Sequence, residues 1–217
     1  MRDPNWHVAE LMRRFPVLEP LRADLERAAA RIGDALEQGG TLFLCGNGGS
    51  AADCEHIAGE LLKGFLLKRA LPETEAAALR GRGPDGEYLA GKLQRGLRAV
   101  TLTGHPALSS AVINDNGGDL AFAQQLWALA RPGDVLLAIS TSGNARNVVL
   151  TALAGRARGV TVIGLTGAGG GRLRELADLC LGVPDRETFR VQELHLPLYH
   201  ALCAMLESRF FGNDEGA

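Results

Sequence analysis

The chain has 217 residues, 46% of them hydrophobic, and a formal net charge of -2 with charges of both signs interspersed. That length and apolar content suit one sizeable domain with a full core, and fall short of two. The charge balance speaks against nucleic acid or an anionic membrane as a partner. Four cysteines, Cys45, Cys54, Cys180 and Cys203, show no CxxC spacing. They read as reduced, mostly buried thiols of a cytosolic protein. The opening MRDPNWHVAELMRRF lacks the apolar stretch of a signal peptide, and no apolar run approaches the roughly 20 residues of a membrane span. A soluble, cytoplasmic protein is expected.

In chain order, Pro4 to Phe15 and Leu18 to Gln38 read as helices; in the second, Leu18, Leu21, Leu25, Ala28, Ala29, Ile32 and Leu36 recur at helical spacing. Gly39-Gly40 ends it. These N-terminal helices, residues 1–38, can cover one face of a sheet or pack on a neighbouring subunit. The remainder, 39–211, reads as the main domain. Its first strand, Thr41 to Cys45, runs into the glycine turn Gly46-Asn47-Gly48-Gly49-Ser50 and a helix over Ala51 to Lys63. Phe65 to Leu97 is a polar insertion with turn signals at Pro72, Pro84, Asp85 and Gly86, expected as a helical hairpin or a partly mobile excursion at the rim. Arg98 to Thr103 reads as a strand, Leu108 to Ile113 as a short helix, and Asn114 to Gly118 as a polar loop. Leu120 to Ala130 is helical, and Val135 to Ile139 is an apolar strand ending in Ser140-Thr141-Ser142-Gly143-Asn144. Then follow a helix (Ala145 to Arg158), a strand (Val160 to Leu165), a third glycine turn (Thr166 to Gly171), a short helix (Arg172 to Ala177) and a last strand (Leu179 to Val183). Thr188 to Phe211 is a long helix with Pro197 inside it, where a kink is expected. Short strands apolar on both faces and separated by helices are the pattern of an open parallel sheet covered on both sides, an α/β three-layer fold. Ligands of such folds bind at the carboxyl ends of the strands, where all three polar turns lie.

The turn Gly46 to Ser50 lacks the glycine spacing of a dinucleotide fingerprint and the lysine of a Walker loop. Its glycines permit close backbone approach, and Ser50 can cap the following helix and donate to a phosphate oxygen. A tight turn with no ligand accounts for it equally well. Ser140 to Asn144 offers three hydroxyls and a glycine between a strand and a helix, suited to a phosphate or, more blandly, to capping that helix. Two such turns in one sheet argue for a small phosphorylated ligand. His56 and Glu60, four residues apart on one helix face, have the spacing of a metal-ligand pair; a surface pair is the plainer reading. Gln192 and His200 add two candidate ligands, but eight helical residues rise about 12 Å, so His195, one turn from Gln192, competes with His200 on geometry alone. Glu60 also has the chemistry of a base that takes a proton next to a carbonyl, with a histidine as acid.

GNGGSAADCEHIAGEL, the NDNG segment, LLAISTSGNARNVV, IGLTGAGGG and RVQELHLPLYH, in order from about Leu36 to Leu206, together resemble the SIS (sugar isomerase) domain, and within it the sedoheptulose 7-phosphate isomerase, or phosphoheptose isomerase, family. The resemblance implies a flavodoxin-like, five-stranded parallel sheet with helices on both faces. It implies a homotetramer with active sites shared between subunits and an aldose–ketose isomerase that makes a precursor of bacterial heptose-containing surface glycans. It implies Zn2+ held by His56, Glu60, Gln192 and His200, which selects His200 over His195, with Glu60 and His200 as the acid–base pair. Asn47, Gly48, Gly49, Ser50, Glu60, Asn114, Asp115, Ser140, Thr141, Ser142 and Gln192 match substrate-binding positions. There are departures: Ala145 stands where the family often has a further phosphate-binding Ser, Phe189 replaces an aspartate, and the segment between Glu60 and Asn114 is markedly longer than usual. These bear on the sugar's identity more than on the fold. An isomerase for another sugar phosphate, or a non-catalytic SIS protein that senses sugar phosphates or binds the replication initiator, are the alternatives. A pure binding module has no need of the four-residue metal set.

Overall fold

The computed structural model describes residues 3–212. Five strands form one all-parallel sheet: β1 (Leu42–Cys45), β2 (Ala99–Thr101), β3 (Val135–Ile139), β4 (Thr161–Thr166) and β5 (Leu179–Gly182), in the order β2-β1-β3-β4-β5. This is the doubly wound arrangement, with the order reversing beside β1. Along β1 and β3 successive side chains enter opposite layers. Leu42, Leu44, Leu137 and Ile139 join one buried cluster, and Phe43, Cys45, Leu136 and Ala138 the other. With both faces covered, the strands need apolar residues at every position, and the burial along β1 and β3 is continuous.

Ten α-helices lie among the described residues. On the first face pack α1 (Pro4–Arg14), α2 (Arg22–Glu37), α3 (Gly49–Leu62) and α10 (Thr188–Phe211). On the second pack α7 (Ala121–Leu129), α8 (Arg146–Ala157) and α9 (Gly171–Leu176). α6 (Pro106–Asp115) follows β2. The insertion folds as a helical hairpin, α4 (Glu73–Arg80) and α5 (Pro84–Lys92), whose base is closed by a bridge between Ala70 and Gln94. No helix among the described residues is long and apolar enough to cross a membrane. The four cysteines are free; burial alone pushes the Cys45 thiol up to about 12, and burial raises Cys54 and Cys203 as well, so these thiols are inert.

Four local expectations need correction. The helix expected from Leu18 starts at Arg22, and Pro16–Leu21 forms a 3-10 turn instead. Pro20 has no N–H to continue an α-helical ladder there. Asn114 and Asp115 are not in a loop but in the last turn of α6, which begins earlier because Pro106 is pre-organised for a first helical position. Ser50 does not cap α3; the helix starts at Gly49 behind Gly48, whose φ of 54° suits glycine. The hydroxyls after β3 do not cap α8 either, whose N-cap is Ala145 with no side-chain bond.

One buried carboxylate joins the strand starts. Asp134 accepts from the backbone N–H of Thr41 at 2.8 Å and of Arg131 at 2.7 Å. Replacing Asp134 with Ala strands both donors, at about 2–3 kcal/mol. For a chain of this size the melting temperature should fall by roughly 4–12 °C; a thermal melt checks it.

Candidate active site

β1 and β3 are neighbours in register, so the turns that follow them lie side by side at the carboxyl edge. The amides of Asn47 and Asn147 exchange two hydrogen bonds, each 2.8 Å, and tie the β1 turn to the first turn of α8. Neither α3 nor α8 is capped by the side chain of its N-cap residue; in α3 the N–H groups of Ser50, Ala51 and Ala52 bond back to the Asn47 and Gly48 carbonyls, and in α8 Val148 N–H donates to Asn147 Oδ1 at 3.0 Å. Ser140 is buried, Thr141 half-buried and Ser142 exposed. The Ser142 hydroxyl accepts from Asn144 N at 3.1 Å, which leaves its own proton to donate. Asn144 in turn accepts from Arg172 N and holds the third glycine turn against the second. Gly143, at φ 67°, lies against the backbone of Gly170, where a Cβ would collide. Gly49 faces the Gln192 amide of α10 just as closely. Asn47, Gly48 and Gly49 are exposed and Ser50 buried.

Further along α3, His56 and Glu60 meet His200 from α10. His56 Nε2 stands 3.0 Å from Glu60 Oε1 and 3.4 Å from His200 Nε2, and the ligand atoms of the three residues all lie within 4.8 Å of one another. Tyr199 decides what these atoms offer. Its hydroxyl donates to Asp53 Oδ1 at 3.2 Å, so toward His56 Nδ1, at 3.1 Å, its oxygen accepts. That directs Nδ1–H to Tyr199 and leaves Nε2, 3.0 Å from Glu60 Oε1, as the ring nitrogen that can ligate a cation. Burial, and then the neighbouring His56, lower the pKa of His200, keeping a third lone pair available. A carboxylate and two imidazole lone pairs are a donor set for a divalent cation, and the residues present fit one. Burial also raises the pKa of Asp53, against the opposing pull of Tyr199 and His56.

The structure places the other expected residues less centrally. Gln192 lies on α10 with its amide against Gly49 at the start of α3, about two turns before His200 on the same helix. Asn114 and Asp115 are exposed and bonded to each other; no hydrogen bond joins them to the turns after β1 or β3. His195, the geometric rival, is excluded: it is buried against the sheet, with Nε2 donating to the Thr166 carbonyl at 3.1 Å. Ala145 packs on the second core, and Phe189 is exposed beneath the Arg190 guanidinium. Asp53, Asn147 and Tyr199 were not anticipated. Asp53, three residues before His56, and Tyr199, beside His200, carried a positional signal.

The sequence profile of the SIS domain family matches residues 7–95 and 88–167. The chain belongs to this family. It is 35% identical over 198 residues to the phosphoheptose isomerase of Akkermansia muciniphila, spanning 91% of this chain and 92% of that protein. With the phosphoheptose isomerase of Rhodospirillum rubrum it shares 41% over 183 residues, 84% of each. Among solved structures, phosphoheptose isomerase from Neisseria gonorrhoeae superposes with a TM-score of 0.73 at 35% identity, over 93% of this chain and 95% of that one. Within the SIS domain family the chain thus falls among the phosphoheptose isomerases, and it is an isomerase. That sets aside the non-catalytic alternatives.

His195 carries a pH signature separate from the triad. Burial lowers its pKa from 6.5 to about 4, against the bond to Thr166. The folded value lies below the unfolded one, so its contribution is complete above pH 6.5 and is lost as pH falls toward 4. Denaturant melts of wild type should show stability falling across that window. In His195→Met that fall should shrink, by up to roughly 3 kcal/mol.

Proposed function

We propose that the protein converts sedoheptulose 7-phosphate to D-glycero-D-manno-heptose 7-phosphate through an enediol, for heptose-containing surface glycans made in the bacterial cytoplasm. The carrying observation is the convergence of Glu60, His56 and His200 within 4.8 Å, with His56 and Glu60 on the helix that begins at the glycine turn beside the hydroxyl-rich turn after β3. Asn47, Gly48, Gly49 and Ser50, with Ser140, Thr141 and Ser142, bind the sugar phosphate: backbone N–H groups and hydroxyls take the anion. Asn114, Asp115 and Gln192 complete the contacts to the sugar.

His56, Glu60, Gln192 and His200 would hold a zinc ion, which polarises the oxygens next to the reacting carbons. Glu60 takes the proton from one carbon of the C1–C2 pair and returns it to the other, and His200 exchanges the proton on oxygen. The Asp53–Tyr199 pair keeps His56 in the tautomer that ligation requires. The site is completed in a homotetramer. Supporting this is a groove of about 460 Å3 between α1 and α10, with His200 on its wall and exposed Trp6, Leu66 and Leu196 along it, which a neighbouring subunit would cover.

Zinc-loaded protein incubated with sedoheptulose 7-phosphate should yield the aldoheptose phosphate by NMR. Glu60→Gln should lower kcat by about 10²–10⁴-fold. No conversion, with the variant indistinguishable from wild type, sinks the assignment of this substrate. Metal analysis should find zinc in wild type and little in His56→Ala. Ser142→Ala should weaken sugar-phosphate binding by about tenfold by calorimetry; unchanged affinity removes Ser142 from the phosphate site.

A further inference from the structure

We propose that the buried pair Arg69–Glu207 is a positioning device for the metal triad, clamping the end of α3, and so Glu60, to α10, and so His200. The inference rests on reading the triad as metal ligands. Arg69 and Glu207 are each 1% exposed, although neither belongs to the triad or the phosphate turns. Arg69 Nε donates to Glu207 Oε1 at 2.8 Å. Its other two nitrogens point at the carbonyl end of α3: Nη1 donates to Leu61 O at 2.7 Å and Nη2 to Glu60 O at 2.9 Å. The second acceptor is the backbone of the carboxylate ligand itself. Glu207 also accepts from Phe65 N at 2.8 Å and Leu66 N at 2.7 Å, so it holds the chain where it leaves α3. It lies two helical turns beyond His200, on nearly the same face of α10.

The local chemistry explains why an arginine serves here. α3 ends at Leu62 with Lys63 extended, so no glycine turns back to satisfy the last carbonyls. The guanidinium does so, at the negative end of the helix, while its third edge pairs with the carboxylate. Its face stacks on Phe211, with Arg95 over the same ring and Arg95 N bonded to Arg69 O. The base of the α4–α5 hairpin is thereby part of the clamp. A buried ion pair is a poor source of net stability, but a planar fork bound to three acceptors fixes direction. Metal ligation tolerates errors of only about 0.2 Å, so a relaxed last turn of α3 would show first in metal affinity.

The test measures zinc affinity by competition with a chromophoric chelator, well below the melting transition, for wild type, Arg69→Lys and Glu207→Gln. Lysine keeps the charge but cannot serve three acceptors, and glutamine keeps the shape without the charge. Both variants should bind zinc about 10–100-fold more weakly while folded. A merely structural pair would lower the melting temperature and leave the affinity of the folded protein unchanged, and that result overturns the proposal. A second measurement needs no variant. Coupling is reciprocal, so zinc must steady the clamp in wild type. Hydrogen exchange at the Phe65 and Leu66 amides should slow on zinc binding by more than at Leu179 and Leu181; equal slowing overturns the proposal even if both variants fail to fold. Wild type that takes up no zinc overturns the metal reading, and the clamp with it; wild type that binds zinc as tightly as both variants overturns the clamp alone.

Discussion

Lone pairs brought together without a proton or a cation repel. At the centre of this protein a carboxylate and two imidazoles are held with their ligand atoms within 4.8 Å, and His56 Nε2 lies within hydrogen-bond distance of both Glu60 and His200. An arrangement of that kind costs free energy unless something positive fills it. The scaffold absorbs the cost through packing elsewhere: α3 and α10 are both seated on one face of the sheet within the larger buried cluster. The triad is thus a consequence of two apolar helix faces, and its chemistry is imposed by the core beneath it.

The turn side of the site follows from a second constraint, the adjacency of β1 and β3. Parallel strands in register deliver their following turns to the same edge, and the Asn47–Asn147 bridge locks the two turns together. One half of the site thus gathers the turns and hydroxyls after β1 and β3. The other supplies acceptors for a metal. α3 carries both, with the glycine turn at its start and Glu60 near its end.

Much of this was legible from residues alone. β3 and α10 were delimited to the residue, because an unbroken apolar run flanked by turn residues, and a long helix-forming stretch, admit few boundaries. The errors have local causes. Pro20 was overruled by the periodicity around it, yet a missing N–H outweighs apolar spacing. Asn114 and Asp115 resemble loop residues, but Pro106 starts α6 early enough for the helix to include them. Ser50 has the side chain of a cap, but α3 begins at Gly49 behind Gly48, whose positive φ glycine adopts freely. Arg69 and Glu207 carried no signal at all, since a buried ion pair between distant segments has no period and no motif.

Local patterns of spacing, turn chemistry and side-chain type carry the parallel sheet, the two polar turns, the HxxxE pair and the motif set of the family. They left His195 and His200 equivalent as ligands on geometry. Packing settles which of the two lies beside His56 and Glu60. Five residues of helix leave two side chains about 140° apart around the axis. Packing α10 against both the sheet and α3 sends His195 to the Thr166 carbonyl and His200 to His56.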